Sequence, residues 1–347
     1  MGLTDTSRAA ALLAIDAGNS KTDVAVLAAD GRVIGAARGG GFRPPAVGMG
    51  AAVDSLAETV GRALAEAAAA AGAGAGAEAE VAAEVTGVRH VVACLANADF
   101  PVEERELATA LSARRWGRTL TVHNDTFAIL RAGLPAGAEQ RGVAVVCGAG
   151  INCVGMTPDG RTARFPAIGR ISGDWGGGWG LAEEALWYAA RAEDGRGEPT
   201  ELARTLPAHF HLPTMYALIE ALHLKHIAPP RTHELTPVLF ATAASGDPLA
   251  RAIVDRLADE VVAMATVALD RLDLLAEPAP VLLGGSVLAA GHPDLDSRIR
   301  ALLATRAPKA TARTITARPV LGAALLGLDE LGAADEVYRS VRAHYEG

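Results

Sequence analysis

Three apolar runs end in short glycine-bearing turns whose residue types could grip phosphate. They are Asp16-Ala17-Gly18-Asn19-Ser20-Lys21-Thr22, Cys147-Gly148-Ala149-Gly150 and Leu283-Gly284-Gly285-Ser286. Such a turn aims successive backbone N–H groups at one spot, which suits phosphate oxygens. The same pattern also makes an ordinary strand-end turn, so each alone leaves both readings open. None is a Walker A loop, because GxxxxGK[ST] is absent, and none opens a helix with a Rossmann GxGxxG. A fourth segment, His123-Asn124-Asp125-Thr126, follows a short apolar run and starts a helix. A carboxylate there can take the proton from a hydroxyl during phosphoryl transfer. Asn124 or Asp125 can equally be a helix cap. The densest glycine cluster, Gly173-Asp174-Trp175-Gly176-Gly177-Gly178-Trp179-Gly180, holds two of the four tryptophans of the chain. It reads either as a polar-ligand site of the kind a sugar needs or as a corner where helix and sheet approach closely. His223 and His226 sit three apart, a spacing open to a metal pair on a helix or to a solvated segment.

These residues need strands that end at the right place. Leu12–Ile15, Val24–Ala28 and Val33–Ala37 read as a three-stranded antiparallel meander, with Asp30-Gly31 as its hairpin turn. Ala46–Ala71 has helical spacing and fades into an Ala/Gly tract at 67–77 that reads as a loose helix end or linker. Val88–Leu95 is a buried strand, Glu103–Ala113 a helix, Leu120–Val122 a strand, and Asp125–Ala132 a helix stopped at Gly133. The second half repeats this layout. Val143–Val146, Asn152–Met156 and Thr162–Phe165 form another meander, with Asp159-Gly160-Arg161 matching Asp30-Gly31-Arg32. Two such meanders about 130 residues apart indicate a duplicated unit. Helices are predicted over 181–191, 199–208, 213–222, 235–244, 248–275, 295–305, 322–331 and 335–344. Strands are predicted over 281–283 and 314–316.

Composition limits the function classes. A length of 347 residues suggests two domains, and half of them are hydrophobic, enough for packed cores. A net charge of −8 argues against a nucleic-acid binder, and no apolar stretch is long enough to span a membrane. Three cysteines, Cys94, Cys147 and Cys153, are too few for a disulfide framework, so a reducing cytoplasm is the expected setting. Residues 1–10 read as a flexible tail in which Met1, Gly2 and Thr6 fit only the bare myristoylation pattern.

Read together, AIDAGNSKTD (14–23), HNDT (123–126), CGAGINC (147–153), GRISGD (169–174), ASGDPLA (244–250) and LLGGSV (282–287) carry a resemblance. The chain resembles the sugar kinase/actin/heat-shock chaperone ATPase superfamily, and within it the N-acetylglucosamine kinases of the BadF/BadG/BcrA/BcrD ATPase family. The resemblance implies an α/β fold of two duplicated ribonuclease H-like (actin-like ATPase) domains, 1–137 and 138–347, the second with extra helices. Each would be a mixed five-stranded sheet flanked by helices, with a nucleotide cleft between them. It implies an ATP-dependent sugar kinase acting on an amino sugar, with N-acetylglucosamine foremost. ATP and Mg²⁺ would be the cofactors. A small sugar and ATP are the expected partners, without nucleic acid or membrane, and a homodimer is compatible with the reading.

Residue roles follow from the same resemblance. Asp16 would organise Mg²⁺ through water, while Gly18, Asn19, Ser20 and Lys21 bracket the β- and γ-phosphates. Asp125 would be the general base, with Asn124 beside it at the sugar. Gly148, Ala149 and Gly150 would form the second phosphate hairpin, Gly169 and Asp174 would bind the sugar, and Gly284, Gly285 and Ser286 would lie near the adenosine. The chain departs from the family pattern in three places. Trp175 stands where a Glu often follows the Asp, Ala149 stands where Thr is usual, and Phe42-Arg43-Pro44-Pro45 lacks the customary sugar-binding Asn. Two other readings belong to the same superfamily. One is an ATPase activator of a radical 2-hydroxyacyl-CoA dehydratase-type enzyme, with a cysteine-held iron–sulfur cluster. The other is a non-catalytic sugar sensor.

Overall fold

A computed structural model describes residues 10–70 and 88–346. Residues 1–9 of the expected tail, with its myristoylation pattern, and the Ala/Gly tract beyond residue 70 lie outside the described residues. Two compact units emerge, one built mainly of residues 1–141 and 315–347, the other mainly of 142–156 and 161–314. The sequence reading into 1–137 and 138–347 puts the last segment with the second half. In the structure this segment packs on the first sheet.

In the first unit, β1 (Ala10–Ala17), β2 (Lys21–Ala28), β3 (Val33–Gly40), β4 (His90–Leu95) and β5 (Thr119–Asn124) form one sheet. Its order is β3-β2-β1-β4-β5. The first three strands pair antiparallel, while β1, β4 and β5 run parallel. β1 is central and covered on both faces, which explains its unbroken apolar run, with Leu12, Leu13 and Ile15 fully buried. A short helix, α1 (Pro44–Val47), precedes α2 (Met49–Ala70). The single helix expected over 46–71 is split at Gly48, which takes φ 87°. Val53, Leu56, Val60, Ala63 and Ala67 form the buried face of α2 at three- and four-residue spacing. The helices α3 (Pro101–Ser112) and α4 (Asp125–Gly133) follow β4 and β5.

In the second unit, β6 (Gly142–Cys147), β7 (Ile151–Met156), β8 (Thr162–Arg164), β9 (Ala279–Gly284) and β10 (Ala310–Thr314) form a second sheet. Its order is β10-β9-β6-β7-β8. Replacing each strand by its counterpart five places earlier gives the first sheet's order. The antiparallel and parallel pairings also correspond. This is the topology that the repeated meanders predict. The last strand lies at 310–314, before the expected 314–316. The helices are α5 (Gly177–Glu193), α6 (Leu202–His209), α7 (Met215–His223), α8 (Leu235–Ala244), α9 (Pro248–Arg271), α10 (Gly285–Ala289) and α11 (Pro293–Arg306). α9 is capped by Asp247, whose Oδ1 accepts the N–H of Ala250 at 2.7 Å, and it stops short of the expected residue 275. Its Ile253, Leu257, Val261 and Leu269 join Val143, Val145 and Cys153 in the core of this unit.

The chain ends in α12 (Pro319–Leu331) and α13 (Asp335–Glu346), both in the first unit. α12 crosses α4 so closely that a Cβ on Gly322 would overlap the carbonyl of Ala128. Only glycine permits that crossing. Arg131 of α4 makes a two-pronged ion pair with Asp329 of α12, at 2.7 and 3.0 Å. Tyr338 of α13 donates to the same carboxylate at 3.0 Å.

Candidate active site

Register places the candidate residues of the first unit at one edge of its sheet. Ala17, Leu95 and Asn124 are neighbours across β1, β4 and β5, so the loops after these parallel strands emerge together. In α/β sheets that carboxyl edge is where ligands bind. Gly18 follows β1, and a Cβ added there would lie 4.0 Å from Asp125 Oδ2. The glycine turn and Asp125 therefore share one locus. Gly18 is tied down at both ends. Its N–H donates to Lys21 O, and its carbonyl accepts from the N–H of Phe42, each at 2.9 Å. The Asn19, Ser20 and Lys21 of this turn stay exposed.

Asn124 and Asp125 divide the work between them. Asn124 is buried, its Oδ1 accepts the Thr126 N–H at 3.0 Å, and its Nδ2 donates to Asp99 Oδ1 at 2.8 Å. It is the helix cap and ties the β4 and β5 loops together, so its amide faces protein rather than a sugar. Asp125 starts α4 and is only partly buried by surface. Desolvation raises its pKa to about 6, against opposing hydrogen bonds from Thr126. That puts the carboxyl near neutral pH, where a general base works best.

Asp16 lies in register opposite Asp23 on β2 and beside Cys94 on β4, so the three side chains share a face. Burial raises the Asp16 pKa well above its ordinary value. The nearby charges of Asp125 and Asp23 add to the rise, and Lys21 opposes it. Asp23 is balanced by Arg38 at 2.7 Å and Lys21 at 3.6 Å. Asp16 and Asp125 are thus a pair of desolvated carboxyls calling for positive charge. Among the described residues no three His, Cys, Asp or Glu side chains gather to cage a metal. A donor set of one or two carboxylates fits Mg²⁺, which keeps most of its waters and takes phosphate oxygens.

In the second unit, the Gly148–Gly150 turn and the Gly284–Ser286 strand end come together. Val146 pairs with Gly284, and a Cβ on Gly148 would lie 3.9 Å from Ser286 N and Oγ. The glycine cluster separates into two parts. Gly177 (φ 75°) is a packing corner, since a Cβ there would lie 2.5 Å from Gly150 Cα. The N–H groups of Gly178 and Trp179 donate to the carbonyls of Gly148 and Ala149 at 2.7 and 3.2 Å. α5 therefore braces the turn from behind. Trp175 is buried under the Arg256 guanidinium, 4.1 Å from its ring centre, and its Nε1 donates to Glu184. Gly169 and Asp174 instead lie on a 3₁₀ loop, where Asp174 Oδ2 accepts from Gly169 N at 3.0 Å and from Ser172 Oγ. The His223/His226 pair does not share a helix, because α7 ends at His223 and Lys225 turns left-handed at φ 60°.

Some residues escaped the sequence reading. Asn97, at φ 64° after β4, donates through Nδ2 to Asn19 Oδ1 and Phe42 O, both at 3.2 Å. Phe42 is a buried anchor of the loop after β3. Glu330 of α12 accepts from Thr121 at 2.6 Å and faces His123 Nε2 at 2.9 Å, just ahead of Asp125. His90 Nε2 is 2.8 Å from the same carboxylate, though off the line of a good hydrogen bond. These partners hold the Glu330 pKa well below its ordinary value despite burial. The turn-forming ANADF after a buried strand was the available signal for Asn97. Nothing local marks Glu330. All three cysteines are buried and free. Burial drives the Cys94 thiol far up, Cys147 to about 12, and Cys153 upward too. A cluster ligand needs the reverse, an accessible thiolate.

Known proteins resemble this chain in sequence and in fold. Two curated relatives are an N-acetyl-D-glucosamine kinase of Dictyostelium discoideum and an N-acetylmuramic acid/N-acetylglucosamine kinase of Clostridium acetobutylicum. The first is 26% identical over 212 residues, 60% of this chain, and the second 27% over 156 residues, 45% of this chain. The chain spans only 65% and 51% of their lengths. Among solved structures, a candidate N-acetylglucosamine kinase of Chromobacterium violaceum superposes with TM-score 0.65 at 22% identity, covering 92% of this chain and 99% of the other. A ROK family glucokinase of Streptomyces griseus, solved with glucose and AMPPNP, gives 0.53 at 15% identity, with 92% and 99% covered. At these identities the structures establish the fold, two duplicated α/β units of the actin-like ATPase type. The model of the BadF/BadG/BcrA/BcrD ATPase family matches residues 13–327, and the chain belongs to that family.

Proposed function

We propose that this chain is an ATP-dependent sugar kinase that moves the γ-phosphoryl group of ATP to a hydroxyl of an amino sugar, with N-acetylglucosamine as acceptor. The observation that carries the reading is Asp125, a carboxyl at the carboxyl edge of β5, with pKa near 6, facing the Gly18 turn. The names of the two curated relatives support the amino sugar. In the reaction, the Asp125 carboxylate takes the hydroxyl proton while the sugar oxygen attacks phosphorus. The bond to the bridging oxygen breaks, and ADP and a sugar phosphate leave. Gly18, Asn19, Ser20 and Lys21 hold the β- and γ-phosphates, aided by Gly148, Ala149 and Gly150. Gly284, Gly285 and Ser286 lie near the adenosine. Mg²⁺, when bound, would neutralise phosphate charge, and Asp16 would hold it through water. Gly169 and Asp174 contact the sugar, and Asn124 acts by fixing the loop that presents it.

We place the protein in the cytoplasm, as a homodimer, with duplicated halves at 1–137 and 138–347 as its evolutionary units. Among the described residues no helix is long and apolar enough to cross a membrane. The test is coupled ADP release with N-acetylglucosamine, glucosamine, N-acetylmuramic acid and glucose. N-acetylglucosamine is expected to give the highest kcat/KM. Asp125→Ala is expected to lose about 10²–10⁴-fold in kcat. Equal turnover in that variant would sink the assignment of the base.

A further inference from the structure

The opposite edge of the first sheet carries a recess that the kinase chemistry does not use. It holds about 130 Å³, the space of a few water molecules, between the end of α3 and the start of β5. Val91, Leu111 and Leu120 form an apolar wall, and Trp116, Arg115 and Arg118 are among the other residues that line it. Three features make this more than a surface dent. First, neither Arg115 nor Arg118 has an ion-pair partner among the described residues, although the whole chain is acidic at −8. Their neighbour Arg114, by contrast, is paired with Asp54. Second, Arg89 is exposed, and its carbonyl accepts the Thr119 N–H at the recess, so another cationic residue starts beside it. Third, Arg115 turns left-handed at φ 54°, three residues past the end of α3, where glycine would be unstrained.

Unpaired guanidiniums beside an indole and an aliphatic floor recognise an anion attached to a less polar body. The volume admits a phosphate group. We propose that this recess binds the phosphate of a small phosphomonoester, gripped by Arg115 and Arg118 with Trp116 against its body. The site is separate from the candidate active site. β4 and β5 run from the recess to the edge that carries Asp125, about 20 Å away at strand rise.

Hydrogen exchange of the full chain with glucose 6-phosphate, and with glucose as control, tests this. At ten times the dissociation constant, glucose 6-phosphate should slow exchange across residues 112–119 about tenfold. Glucose should leave that segment unchanged. Arg115→Gln with Arg118→Gln should abolish the effect. Arg115→Gly gives a second check, because it relieves the left-handed strain. It should melt no lower than the parent yet lose the protection. Protection confined to residues 16–21 and 123–126 would overturn the proposal, as would protection at 112–119 that survives either variant or that glucose also produces.

Discussion

Thr126 hydrogen bonds favour the ionised Asp125 carboxyl, and desolvation disfavours it more strongly, leaving the pKa at about 6. The consequence for stability has a definite sign. The folded pKa lies above the unfolded one, so stability is full at acid pH and falls as pH rises from about 4 to about 6. The loss above pH 6 is about 3 kcal/mol. Asp125→Asn should therefore raise the melting temperature at pH 8 and leave it little changed at pH 4. A pH-independent difference between the two proteins would contradict this account. Catalysis runs the other way, since only the ionised base works, so parent kcat should drop as pH falls below about 6. Glu330 has the opposite linkage. Its pKa is depressed by His123, His90 and Thr121, so its contribution is present above about pH 4 and lost as pH falls further. Glu330→Gln should destabilise the protein at pH 7, and thermal melts at acid pH should show the gap to the parent closing.

What holds these carboxyls in place is a matter of elements, and here the sequence was readable only in part. The strand-end turns, the repeat of two meanders and the helix start at Asp125 were legible because strand period, turn residues and caps are local signals. The packing corner at Gly177 was legible only as one of two alternatives, because local composition does not say what a glycine lies against. The contact of α12 with α4 was not legible at all. Gly322 sits in an ordinary apolar helix, and its partner Ala128 is almost 200 positions away. That contact is sharp enough to test. Gly322→Ala forces a methyl into the carbonyl of Ala128, so one helix must shift. Overpacking of this kind costs about 1–3 kcal/mol. Because α4 begins at Asp125, the same shift should lower kcat while leaving the KM for ATP nearly unchanged. A variant with parent stability and parent kcat would show that the helices yield without cost.

At the scale of the molecule, the first unit is discontinuous in sequence, and this changes what its stability depends on. Its sheet is complete by Asn124, yet α12 supplies the cover for β1 and β4, with Leu321, Leu325 and Leu328 buried. Gly327 lies against Leu12 and Val92. One charged fastening is the Arg131–Asp329 pair, with 8% and 14% of the side chains exposed. A pair that dry adds little net stability when intact, but removing one partner strands the other and costs about 3–5 kcal/mol. Asp329→Ala would leave Arg131 buried without its carboxylate and Tyr338 without its acceptor. The loss should not stay local. Since α12, α4 and the β1–β4 pair share one core, native-state hydrogen exchange of Asp329→Ala should show β1, β4, α4 and α12 losing protection together. Adding Arg131→Met, which removes the stranded charge, should restore part of it. If α12 alone exchanged faster while β1 and β4 kept their protection, the C-terminal helices would be an appendage to the unit rather than a part of its core.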